Sequence, residues 1–202
     1  MKLNEIMITN QGTGMHEALE ATEKLGADCG LGKKEILHLR LLAEELFGMA
    51  QSIAGNLEGE YWVVQEGTKY EIHLESEVEL TKEMHKRFID VSTQGENAAA
   101  KGFMGKLRNM IAVAMLPKED GASMLSMGLM SMGSPTGMRV ENMDYMWSMN
   151  QYRTAVDQNR SADSKAEEAW DELEKSIVAS IADEVKVHIV GSSVKITIIK
   201  TF

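Results

Sequence analysis

The spacing of apolar residues changes period at one sharp point, Asp183-Glu184. Before it, Trp170, Leu173, Ile177 and Ile181 recur at three- and four-residue steps and predict one helix. After it, Val185, Val187 and Ile189, then Val194, Ile196 and Ile198, recur at every second residue and predict two strands joined by a turn at Gly191-Ser192-Ser193. Near the other end, Leu3 to Ile8 alternates weakly and reads as a first strand, followed by a turn at Asn10-Gln11-Gly12-Thr13-Gly14 and a short helix from Met15 to Leu25. Gly26, Gly30 and Gly32 interrupt the pattern before a long helix whose apolar stripe is Ile36, Leu39, Leu42, Ala43, Leu46, Met49, Ala50 and Ile53. Gly55-Asn56 ends it. Tyr61-Trp62-Val63-Val64 and Tyr70-Glu71-Ile72-His73-Leu74, on either side of Gly67, predict a hairpin.

The middle of the chain is less regular. Thr81 is a cap for a helix through Ile89, residues 90–97 read as a loop, and Ala98 to Leu116 reads as a helix closed by Pro117. Gly102 and Gly105 each cost that helix about 1 kcal/mol relative to Ala. From Lys118 to Ala162, Gly, Ser, Met and Asn follow one another with little periodicity, which predicts a mobile insertion. The sum is one α+β domain over residues 1–202: a two-layer sandwich, with a mixed sheet covered on one face by helices and a Met-rich insertion over 118–162.

Composition narrows the partners. A net charge of −10 and a pI near 5.0 argue against a nucleic-acid binder, which needs clustered Lys and Arg. No window approaches the ~20 apolar residues of a membrane span, and the start MKLNEIMITNQG lacks a signal-peptide core, so a cytoplasmic protein is expected. Cys29 is the one cysteine, which excludes an internal disulfide.

A helix ending in Asp-Glu-Val, a short strand, a Gly turn and a last strand closing on Lys-x-Phe resembles the C-terminus of the anti-sigma-factor branch of the GHKL ATPases, the superfamily of histidine-kinase ATP-binding domains. The resemblance implies the histidine-kinase-like ATPase fold, with ATP and Mg²⁺ as cofactors where the site is intact. Partners would be a sigma factor or its antagonist, and homodimerisation would run through the first strand and helix. In that family a helical Glu is followed four residues later by an Asn that helps hold Mg²⁺. Here Glu44 and Glu45 match the first half, but Gly48 and Met49 stand where the Asn belongs and offer no hard oxygen ligand. Glu44 is also placed to pair with Arg40 on a solvated helix face. An Asp-x-Gly that reads adenine is replaced by Glu75-Ser76-Glu77. The Gly-rich phosphate segment is matched only by Gly95 in Ser92-Thr93-Gln94-Gly95, or by Gly102 and Gly105 in Lys101-Gly102-Phe103-Met104-Gly105-Lys106.

Eleven of the sixteen methionines fall between Met104 and Met149. Met124, Met127, Met130 and Met132 have a spacing that soft Cu(I) would accept, although no Cys or His accompanies them. The same thioethers make an adaptable apolar surface for a partner, or a lid that packs on itself, with Tyr145, Met146, Trp147 and Met149 as a docking patch. His16, His38, His73, His85 and His188 show no metal-ligand spacing, and Gly-x-Ser-x-Gly is absent. The expectation is a regulatory protein-binding domain with a degenerate ATP site, no cofactor, and no direct contact with nucleic acid or membrane. The alternatives are an ATP-dependent protein serine kinase using Glu45 as base, and a Met-based Cu(I) binder.

Overall fold

A computed structural model describes residues 1–9, 11–53, 58–77, 144–161 and 164–202. The elements are β1 (Ile6–Thr9), α1 (Met15–Asp28), α2 (Lys33–Ile53), β2 (Glu58–Glu66), β3 (Lys69–Glu77), β4 (Asp144–Ser148), α3 (Met149–Asn159), α4 (Ser164–Lys175), α5 (Ile177–Ile181), β5 (Glu184–Val190) and β6 (Ser193–Thr201). The strands form one open sheet in the order β1-β2-β3-β6-β5-β4. The protein is therefore α+β, but the expected mixed sheet is corrected: every pairing among the described strands is antiparallel. Two tight hairpins impose two of these pairings, β2 with β3 and β5 with β6. Glu66 pairs with Lys69 and Val190 with Ser193, leaving two-residue turns whose first residues, Gly67 and Gly191, have φ near 60°, where a side chain would be strained.

Alternation along the strands separates two faces. Ile8, Tyr61, Val63, Tyr70, Ile72, Leu74, Val194, Ile196, Ile198, Val185, Val187, Ile189, Tyr145 and Trp147 all point to one side and are buried there. Helix α2 lays Leu39, Leu42, Ala43, Leu46 and Ala50 on this core, and α1 adds Ala18 and Leu25. Each fully buried Leu or Ile contributes about 1.5–3 kcal/mol, so the stripe read from α2 accounts for much of the seal between the layers. Phe47 meets Tyr61 edge-on at 5.1 Å, and Thr22 Oγ1 lies 2.6 Å from Tyr61 Oη inside the same layer.

Two expectations are revised. The single helix through Trp170, Leu173, Ile177 and Ile181 is broken at Ser176, which adopts extended backbone (φ −80°, ψ 125°) and accepts a hydrogen bond from Ala179 N at 3.3 Å. The cap restarts the helical phase, so Val178 and Ala179 are buried while Ile177 is 46% exposed. The stretch 118–162 is not irregular throughout, since residues 144–159 form β4 and α3 and extend the sheet beyond β5. Their pattern is too short to read: β4 has five residues, and α3 buries only Met149, Tyr152 and Val156 on an otherwise polar helix. Tyr145, Trp147 and Met149 are core residues, whereas Met146 is 60% exposed. The expected helices at 81–89 and 98–116 and the methionine run from Met124 to Met132 lie outside the described residues.

Candidate functional site

Of the residues expected to hold nucleotide, the described ones are not gathered at one place. Glu44 and Gly48 are exposed on the outward side of α2, and Glu45 is half-buried. Glu44 Oε1 accepts from Arg40 Nε at 2.8 Å, and Arg40 Nη1 reaches Glu23 Oε1 at 2.7 Å, so the solvated ion-pair reading of this helix face is the observed one. Glu75 belongs to the opposite surface. Its strand neighbour Leu74 is buried under the helices, so Glu75 points away from them, where it accepts from Ser193 Oγ at 3.2 Å and lies 3.7 Å from Lys195 Nζ. On the helix side the strand end carries Ser76, whose hydroxyl donates to Glu58 O at 2.8 Å. One hydroxyl committed to a backbone carbonyl is a poor substitute for an adenine-reading carboxylate. These residues do not fit ATP and Mg²⁺ in the family manner. Gly95, Gly102 and Gly105 lie outside the described residues.

A different cluster forms on the outer face of the sheet. The register aligns Trp62, His73, Thr197 and Lys186 as one row across β2, β3, β6 and β5, with Glu60, Glu75, Lys195, His188 and Met146 as the next. Trp62 and His73 stack at 4.9 Å with an interplanar angle of 18°, and both are at least nine-tenths buried although they face away from the core. Lys195 Nζ stands 4.7 Å and Lys2 Nζ 5.7 Å from the Trp62 ring, so two cations share its face. Lys2 is brought there by a one-residue bulge: Ile6 pairs with Tyr61 but Lys2 with Val64, four residues of one strand against three of the other.

His73 Nδ1 lies 3.0 Å from Thr197 Oγ1, and Nε2 lies 3.3 Å from Glu71 Oε2. The Glu71 carboxylate can only accept, which places the ring proton on Nε2 and leaves Nδ1 to accept from the Thr197 hydroxyl. Burial, with the Lys195 charge second, pushes the imidazole down to about 4, so the ring is neutral near pH 7. Hydroxyl, imidazole and carboxylate in series have the order of a nucleophilic triad. The flanking β3 and β6 amides are committed to the ladder, which leaves none in these two strands to hold an oxyanion. The cluster is a stacked, hydrogen-bonded group on the outer face of the sheet.

Sequence reasoning missed this row for a definable reason. Trp62 and His73 sit at polar-face positions of their strands, a signal available from alternation alone, but Thr197 and Lys195 join them only through the pairing of strands more than a hundred residues apart. Among the described residues no group of three or more His, Cys, Asp or Glu could hold a metal ion, and no helix is long and apolar enough to cross a membrane. No family model, curated protein or solved structure matches the chain.

Proposed function

We propose that this chain is a regulatory domain that acts by binding another protein, built on the plan of the anti-sigma-factor GHKL domains but without their nucleotide chemistry. The observation that carries the reading is the separation of Glu75 from Glu44, Glu45 and Gly48 by the thickness of the sheet. A phosphoryl-transfer site needs its carboxylates and phosphate-holding groups converged on one ligand, and Mg²⁺ needs oxygens in near-octahedral array. The order strand, two helices, hairpin, and a closing helix and hairpin supports the histidine-kinase-like fold as the finer assignment. By the same analogy the partner is a sigma factor or its antagonist.

The binding surface in this reading is the outer face around the buried Trp62–His73 stack, where Lys2 and Lys195, both near the Trp62 ring, offer charge-assisted contacts. Calorimetric titration of the full chain with ATP and Mg²⁺ separates binder from kinase. No heat of binding at millimolar nucleotide is expected. Saturable binding together with phosphoryl transfer lost in Glu45→Gln would establish the kinase instead.

A further inference from the structure

Helix α2 carries a second stripe on the side away from the sheet. Lys34, Leu37, Leu41, Glu44 and Gly48 follow one another at steps of three, four, three and four residues, the spacing of the seam between two coiled helices. Leu37 is 51% exposed, Lys34, Glu44 and Gly48 are exposed, and Leu41, one turn from Leu37, is half-buried. Apart from the helix itself, no described atom lies within 4 Å of where a Gly48 Cβ would stand. Charge divides the stripe into two ends. Lys33 and Lys34 are exposed at the start, Glu44 and Glu45 stand at the other end, and α1, antiparallel to α2 through Arg40–Glu23 and Gln51–Met15, adds exposed Glu17 and Glu20 to the acid end. Asp28, exposed at the basic end, offsets one lysine.

We propose that this stripe docks a second copy of the chain, with the two α2 helices antiparallel about a two-fold axis at the level of Leu39. The stripe is its own complement. Read in reverse, Lys34, Leu37, Leu41 and Glu44 become acid, leucine, leucine and base, so the antiparallel register that sets Leu37 opposite Leu41 of the second copy also sets each Lys34 opposite a Glu44. A parallel pair would oppose Lys34 to Lys34 and Glu44 to Glu44, and like charges face to face cost affinity. Shifting the antiparallel pair by one heptad in either direction sets a leucine against Glu44 or against Lys34. Arg40 holds Glu44 through one oxygen, Oε1, at 2.8 Å, and a carboxylate accepts at both, so Lys34 of the second copy shares the acid rather than displacing Arg40. Gly48 adds no side chain to hold the helices apart.

Two apolar layers bury less than the ~1,000 Å² of a stable interface, and a net charge of −10 on each copy opposes contact, so the dimer is weak and concentration-dependent. Sedimentation of the full chain from about 10 μM to about 1 mM, under reducing conditions and without nucleotide, is expected to show a monomer–dimer equilibrium. Leu37→Glu, which sets an acid in each apolar layer at an exposed site, is expected to raise the dissociation constant about tenfold or more, with an unchanged circular dichroism spectrum. Lys34→Glu and Glu44→Lys are each expected to weaken the dimer, and the two together to restore it, because the exchanged charges meet again only when the helices are antiparallel. A monomer throughout, a dimer indifferent to Leu37→Glu, or a double exchange no tighter than either single variant would overturn the inference. None of these outcomes depends on whether the chain binds ATP.

Discussion

Thr22 and Tyr61 show how one buried hydroxyl pair joins a helix to the sheet. The Thr22 hydroxyl donates to Ala18 O at 2.7 Å, so its single proton is spent and Tyr61 O–H donates to it across 2.6 Å. Thr22→Val keeps the shape but strands the Tyr61 hydroxyl in the core, and is expected to cost about 1–3 kcal/mol in urea denaturation. Adding Tyr61→Phe removes the stranded group and is expected to recover most of that loss. His73 makes a pH prediction at the same scale. Its folded pKa, near 4, lies below the unfolded value of 6.5, so between those limits the unfolded chain binds more protons and stability falls as pH drops from 6.5 towards 4. The slope attributable to His73 reaches at most about 1.4 kcal/mol per pH unit. Denaturation midpoints measured at several pH values should show a flatter dependence in that window for His73→Gln.

The helix-to-strand switch at Asp183-Glu184 is also a junction between elements. Glu184 Oε1 accepts from Asn150 N at 3.1 Å and from Val185 N at 2.9 Å, while its Oε2 accepts from Ser148 Oγ at 2.8 Å. A carboxylate on β5 thus satisfies one amide at the positive end of α3, beside the Ser148 cap that accepts from Gln151 N at 3.3 Å. Asp183 acts at the other side: burial pushes its carboxyl up, but the Lys200 hydrogen bond at 3.0 Å and the Thr201 N–H at 2.6 Å outweigh this and hold it below its ordinary value. Glu184→Ala is expected to destabilise the protein by about 1–2 kcal/mol in thermal or urea melts. Glu184→Gln, which retains acceptor capacity without charge, is expected to lose about half as much. A Glu184→Ala melt indistinguishable from the parent would mean that α3 does not need this cap.

At the scale of the molecule, residues 144–159 are structural components of the sheet and its cover. Trp147 is 1% exposed and packs with Tyr152 at 6.0 Å, and Arg153 Nη2 donates to Ala179 O at 2.6 Å, tying α3 to α5. Trp147→Ala is expected to cost about 3–5 kcal/mol, with fluorescence and circular dichroism transitions that coincide, because the strand is part of the cooperative unit. Amide exchange in β5 and β6 is expected to accelerate with it. Were β5 and β6 to stay as protected as in the parent, β4 and α3 would be an independent appendage.

Local pattern determined most of the elements here. Period-two alternation in Val185–Ile189 and Val194–Ile198, and the stripe from Leu39 to Ala50, are properties of consecutive residues, and each appears in the structure with that same buried face. The Arg40–Glu44 pair was legible for the same reason, being fixed by helical spacing alone. Register between distant strands has no local signature. Only the tertiary structure made the sheet antiparallel throughout, drew Thr197 and Lys195 to Trp62 and His73, and turned Glu75 to the face opposite α2. The break at Ser176 and the strand at Asp144–Ser148 belong with these: a capping serine and a five-residue strand each carry too few residues for a period to outweigh the contacts that decide them.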